Sequence, residues 1–197
     1  HTVLAGEIAG RTVAVTGCGP IGLMAIAVAR ACGCSTLFAT EVNPHRAALA
    51  KPMGADEVIN PAETDAVARV RQATGGTGVD VLLEMSGNPT AIQQGFKMLR
   101  AGGRASLLGI PNKPVNLDLV EDVIFKGATV QGIYGRKMFD TWVQMTALLK
   151  SGRLNLESLF HERYPLEGFQ SAFALLEGGQ AGKVLFYPNG EAEMGKK

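Results

Sequence analysis

The chain has 197 residues, 46% of them hydrophobic, and 19 Lys and Arg against 18 Asp and Glu give a formal net charge of +1. This is enough chain to bury a substantial core in one large domain or one and a half. Scattered, balanced charge gives no electrostatic reason to expect nucleic acid or an anionic membrane as partner, and the apolar runs stop well short of the roughly 20 residues of a spanning helix.

No basic segment with an apolar stretch and a small-residue cleavage site opens the chain, so the expected address is cytoplasmic. Cys18, Cys32 and Cys34 are odd in number, and Cys32-Gly33-Cys34 matches neither a redox pair nor half of a zinc site. They read as reduced thiols.

The first strand, Thr12 to Thr16, runs into Gly17-Cys18-Gly19-Pro20-Ile21-Gly22, which opens a helix from about Pro20 to Cys32. In a dinucleotide site Gly17 allows the tight turn, Gly19 lets backbone amides approach a pyrophosphate, and Gly22 lets helix and strand pack closely. The phosphates then meet the positive end of a helix dipole. The duller reading is an ordinary strand-turn-helix corner. Cys18 in the turn is either a thiolate favoured by the helix amino terminus or a small filler.

The second strand, Thr36 to Thr40, leads to Glu41, nineteen positions beyond Gly22. At that distance such folds place the carboxylate that binds the adenosine ribose, and the same charge repels the 2′-phosphate of NADP and so selects NAD. Glu41 can also be read as a solvated strand end. Asn43 as N-cap and Pro44 at the first helical position open the next helix, which carries Arg46 and stops near Pro52 and Gly54.

A third strand, Glu57 to Asn60, and a helix from about Glu63 to Ala73 lead to the turn Gly75-Gly76-Thr77-Gly78, where the scheme begins again. The second half has strands Val79 to Glu84, Arg104 to Leu108 and Thr129 to Ile133. Its helix, Thr90 to Leu99, is opened by Ser86-Gly87-Asn88-Pro89 and ended by Gly102-Gly103 as C-cap punctuation. Glu84, ending a buried strand, reads as a partner for backbone or a neighbouring helix rather than as a proton carrier.

Alternating strands and helices imply an α/β fold, a doubly wound six-stranded parallel sheet of order 3-2-1-4-5-6, with a cofactor across its carboxyl edge at the switch point between strands one and four. The last strand carries no Lys, Pro or other charge to blunt an exposed edge, so pairing with the same strand of another copy is expected. From Phe139 the pattern changes to an amphipathic helix through Leu149, a helix near Leu166 to Leu176 and a short strand Lys183 to Tyr187, which do not extend the sheet. Glu191 to Lys197 reads as a polar, loosely held end.

A resemblance gives these readings a family. Gly17 to Gly22, Leu83-Glu84-Met85-Ser86-Gly87, Leu108-Gly109-Ile110-Pro111, Val123 to Gly127 and Gly132-Ile133-Tyr134-Gly135-Arg136 are similar to the carboxyl-terminal part of zinc-dependent medium-chain dehydrogenases. The run Val123 to Trp142 is the part most like the threonine dehydrogenases among them. The resemblance implies that Gly17, Gly19, Pro20, Ile21 and Gly22 hold the pyrophosphate of NAD, that Glu41 holds the adenosine ribose and that Arg46 flanks it. Leu108, Gly109 and Ile110, with Ile133 and Tyr134, would line the nicotinamide half. The family often has Asp where this chain has Glu41, which keeps the carboxylate but changes its reach.

The resemblance also implies an amino-terminal catalytic domain with the zinc ligands, whereas none of His1, His45, His161 or the cysteines forms a ligand-like set. Residues 1–150 are then expected to be the NAD-binding domain and 151–197 a segment that packs on the catalytic domain, which holds the small-molecule substrate. The chain by itself is expected to hold cofactor without turnover, with no catalytic or metal residue of its own. The alternatives are a non-catalytic NAD sensor module and the same portion of a polyol dehydrogenase.

Overall fold

A computed structural model describes residues 1–160 and 162–189. His161 and the segment Glu191 to Lys197 lie outside the described residues. Six parallel strands, β1 (Thr12–Thr16), β2 (Thr36–Thr40), β3 (Glu57–Ile59), β4 (Val79–Glu84), β5 (Leu99–Leu107) and β6 (Thr129–Gly132), form one sheet in the order β3-β2-β1-β4-β5-β6. This is the expected doubly wound arrangement.

Side-chain alternation splits the core between the two faces of the sheet. On one face Val13, Val15, Leu37 and Leu83 pack with Leu23 and Ile26 of α2 (Pro20–Ala31). On the other, Ala14, Phe38 and Leu82 meet Val70 of α4 (Ala66–Ala73) and Phe96 of α5 (Pro89–Met98). The short α1 (Thr2–Ala5) and α3 (Pro44–Ala50) complete the first face. Leu154 and Leu159 join that same cluster, so the core of the sheet domain continues past residue 150.

The centre of the sheet is tied at its amino edge. Thr12 donates from its amide and its hydroxyl to one Asp80 carboxylate oxygen at 2.8 and 2.7 Å, and the Asp80 amide donates back to the Thr12 hydroxyl at 2.9 Å. Arg100 pairs with the other oxygen at 2.5 Å. Burial alone would raise the Asp80 pKa, but the Thr12 and Arg100 hydrogen bonds outweigh it and hold the carboxyl below its ordinary value.

Three local expectations are corrected. Gly102 and Gly103 lie inside β5 and do not cap α5, which ends at Met98 and passes directly into extended backbone at Leu99. They form an irregularity in the β4–β5 register, Val79 pairing with Leu99 but Val81 with Arg104. Helix α4 begins at Ala66, because the Asp65 side chain accepts the Ala68 amide and the Asn60 side chain holds the preceding turn through the Ala62 amide. Beyond α6 (Asp140–Lys150) and α7 (Phe169–Glu177), the final strand β8 (Val184–Tyr187) pairs in parallel with an unforeseen β7 (Glu162–Pro165) as a separate two-stranded sheet.

Candidate cofactor site

The strand-turn-helix corner at Gly17 has the local structure that its three glycines imply, and each is required for a different reason. Gly17 has φ +85°, and a Cβ there would lie 2.8 Å from the Ser86 Cβ. A Cβ on Gly22 would lie 2.0 Å from the Gly17 carbonyl oxygen, so that position admits no side chain without moving the turn. At Gly19 a Cβ would meet nothing within 4 Å. Packing therefore explains Gly17 and Gly22 but leaves Gly19 facing open space.

Helix α2 also starts differently from α3, α4 and α5. Asn43, Asp65 and Asn88 cap α3, α4 and α5 by accepting amides of the first turn, whereas the N-cap of α2 is Gly19, with no side chain to offer. The first amides of a helix have no partner within it. At α2 they remain available to an acceptor from outside, with the dipole favouring negative charge.

Glu41 follows β2 and is 8% exposed. One carboxylate oxygen accepts the Cys18 amide at 2.7 Å, and the other accepts the amides of Val42 and Asn43 at 3.0 and 2.9 Å. The carboxylate thus stitches the glycine turn to the β2–α3 loop and retains lone pairs for further donors. Arg46, on the first turn of α3, is half-buried, and its Nε is buried with no hydrogen-bond partner. An orphaned guanidinium nitrogen is costly unless something else occupies its vicinity.

These groups share one cavity of about 530 Å³ at the carboxyl edge of the sheet, lined by Gly17, Gly19, Glu41 and Arg46 together with Ser86 and Asn88. Ser86 and Asn88 stand in the sequence at the opening of α5, Ser86 also in the run Leu83 to Gly87 that carries the resemblance, but neither is among the residues expected to hold the cofactor. The cavity lies at the β1/β4 switch point, where such sheets bind ligands. A second, more apolar cavity of about 470 Å³ lies between α1, α2 and α6, and Ile21 and Met85 are among its walls. Met85 lines both.

The residues assigned to a nicotinamide half do not line the first cavity. Ile110 and Tyr134 are 83% and 93% exposed, while Ile133 is buried, its amide donating to the Leu107 carbonyl. Leu108 and Gly109 both donate their amides to the Glu84 carbonyl. Gly109 is confined: a Cβ there would lie 2.1 Å from the Gly87 nitrogen and 2.4 Å from Glu84 Oε2.

Glu84 itself is fully buried and bonds to backbone, accepting the amides of Ser86 and Gly87 at 2.8 and 3.1 Å, along with the Ser86 and Thr16 hydroxyls. Cys18 is the filler of the two readings. Burial first, then the Glu41 charge, pushes its thiol up to about 12 against the opposing Arg46, so it stays protonated at neutral pH. His45 is exposed, and among the described residues no three His, Cys, Asp or Glu come together as a metal site.

Comparison with known proteins decides the family. Residues 20–151 match the zinc-binding dehydrogenases. The chain belongs to that family. Among curated relatives, the L-threonine 3-dehydrogenases of Bacillus licheniformis and Thermococcus kodakarensis are 48% and 46% identical, each over 95% of this chain. The chain spans 54% of the length of each, about half of such a dehydrogenase. Solved structures agree on the fold: 2R,3R-butanediol dehydrogenase from Bacillus subtilis superposes with TM-score 0.86 at 31% identity over 95% of this chain and 54% of its own. Alcohol dehydrogenase from Thermotoga maritima gives 0.85 at 30% identity, over 94% and 54%. No helix among the described residues of this zinc-binding dehydrogenase chain is long and apolar enough to cross a membrane.

Proposed function

We propose that this chain is the NAD(H)-binding portion of a dehydrogenase that oxidises a secondary alcohol, with L-threonine its substrate in the complete enzyme. The observation that carries the cofactor reading is the open face of Gly19 beside the uncapped start of α2, in the same cavity as the unpartnered Arg46 Nε. The threonine reading is supported by the named relatives. NAD+, when bound, supplies the hydride acceptor.

The work of this chain's residues is binding and orientation. Amides at the start of α2, with Gly17, Gly19, Pro20, Ile21 and Gly22, hold the pyrophosphate. Glu41, fixed by three backbone amides, uses its remaining lone pairs for the adenosine ribose, and Arg46 flanks it. Leu108, Gly109, Ile110, Ile133 and Tyr134 border the nicotinamide. On this reading zinc and the alcohol belong to another domain of the enzyme, against which part of the segment 151–197 beyond Leu159 would lie; among the described residues no three His, Cys, Asp or Glu come together. Three unpaired cysteines accord with a cytoplasmic enzyme.

Calorimetric titration with NAD+, ADP-ribose and NADP+ tests the cofactor reading. The expected order is NAD+ over NADP+ by about tenfold, a difference of roughly 1.4 kcal/mol, because a carboxylate faces the 2′-phosphate. Equal binding of the two would remove the role given to Glu41, and no binding of any would overturn the reading. Turnover of NAD+ with L-threonine and zinc is expected only when the remaining half of the enzyme is supplied.

Self-association belongs to the same proposal. Strand β6 is a sheet edge, with Val130 exposed, and the neighbouring π-helix Val120–Ile124 leaves Val120 and Ile124 exposed beside Phe125. Pairing of two copies through residues 129–133 would cover the β6 edge. Sedimentation is expected to give a dimer, and a clean monomer at high concentration would rule it out.

A further inference from the structure

The segment after α7 reaches back to the start of α3, beside the cavity-lining Arg46. Helix α7 ends in Gly178-Gly179, with Gly179 at φ +65° and the Gly179 amide donating to the Leu176 carbonyl at 3.0 Å. The carbonyl of Gly179 accepts a hydrogen bond from Asn43 Nδ2 at 3.2 Å, across 136 positions of sequence. The fit is close: a Cβ on Gly179 would lie 2.7 Å from Asn43 Nδ2 and 3.7 Å from Arg46 Nη2. Nearby, a Cβ on Gly182 would meet Leu49 of α3 at 3.3 Å, so the contact continues along that helix.

Asn43 uses every polar group it has except its carbonyl in a single junction of side-chain bonds. Its Oδ1 accepts the Arg46 amide at 3.1 Å, its backbone amide donates to Glu41 at 2.9 Å, and its Nδ2 holds Gly179. Glu41 in turn accepts the Cys18 amide of the glycine turn. A continuous series of hydrogen bonds therefore runs from the end of α7, through Asn43 and Glu41, to the loop at the start of α2.

A plain N-cap needs only Oδ1, and Ser, Thr or Asp would serve equally. The amide nitrogen of Asn43 is the part that capping does not explain. We propose that Asn43 is a positioning residue for the adenosine end of the dinucleotide, and that the Gly178-Gly179 turn is its brace. The class of ligand affected is an adenosine diphosphate moiety, and the proposal rests on the NAD reading above.

The test uses the full chain with Asn43→Ser, which keeps an oxygen for the Arg46 amide but cannot reach Gly179, and Gly179→Ala, which strains the turn and crowds Asn43 from the other side. Both are expected to weaken NAD+ and ADP-ribose binding about three- to tenfold and to lower the NAD+ to NADP+ ratio, with the doubly substituted chain no weaker than the weaker single one. That shared effect and the changed ratio are readouts that loss of stability alone would not move. Asn43→Ser provides the answer if Gly179→Ala fails to fold. Affinities and ratio within twofold of the parent chain in Asn43→Ser overturn the proposal alone, whereas a parent chain that binds neither ligand overturns the NAD reading and this proposal with it.

Discussion

In the cavity at the sheet's carboxyl edge Glu41 is 8% exposed and its carboxylate accepts three backbone amides, while outside that cavity the side chains of Ile110 and Tyr134 stand 83% and 93% exposed. The first arrangement is hydrogen-bonded without a ligand, a pre-organisation that would reduce the entropy lost on binding. The second leaves large side chains facing open space. On the proposed NAD reading, Glu41 would be a preformed anchor for the nucleotide, whereas the residues assigned to the nicotinamide would still lack a covering surface.

Substitutions can break or sharpen that contrast. The largest effect is expected at the glycine turn, where two neighbouring positions should behave in opposite ways. Gly22→Ala places a Cβ 2.0 Å from the Gly17 carbonyl oxygen, so it should cost about 1–3 kcal/mol of folding stability and abolish measurable dinucleotide binding. Gly19→Ala meets nothing within 4 Å and should fold within about 0.5 kcal/mol of the parent, yet bind NAD+ about tenfold more weakly. Urea unfolding and calorimetry separate the two; equal loss of stability at both positions would mean that Gly19 is there for packing.

The smallest effect is expected at the exposed end. Ile110→Ala combined with Tyr134→Ala should change stability by no more than about 0.5 kcal/mol and NAD+ affinity by less than about twofold. A loss of fivefold or more in the same titration would show that the nicotinamide end is already engaged by this chain alone, and the contrast would fall.

The parts of the site that were legible in the sequence are those built from neighbours in the chain. Gly17 to Gly22 with Glu41, and the caps Asn43 and Asn88, act within a turn or one strand-helix unit, so residue type and spacing suffice. Asn43 was readable as a cap, but its bond to Gly179 was not, since nothing local records a partner 136 positions away. Gly102 was misread because a C-cap and a strand irregularity make the same demand on glycine, a positive φ, here +69°. Strand β7 was missed because Glu162-Arg163-Tyr164-Pro165 has no apolar run and ends in proline. The alternation of strands and helices needed none of this, which is why the sheet order was accessible.

The Thr12–Asp80 lock at the centre of the sheet bears on how the chain reaches this fold. It joins residues 68 positions apart, and the β1–β4 ladder depends on the same separation. Neither mononucleotide half can complete its core alone, because β1 supplies the central partner for both β2 and β4. The loop entropy of that closure must be spent before most of the ladder is gained, which slows the search for the native state. In a newly made chain the edge of β1 that faces β4 stays unpaired until β4 has been synthesised, although β2 can already pair with the other edge.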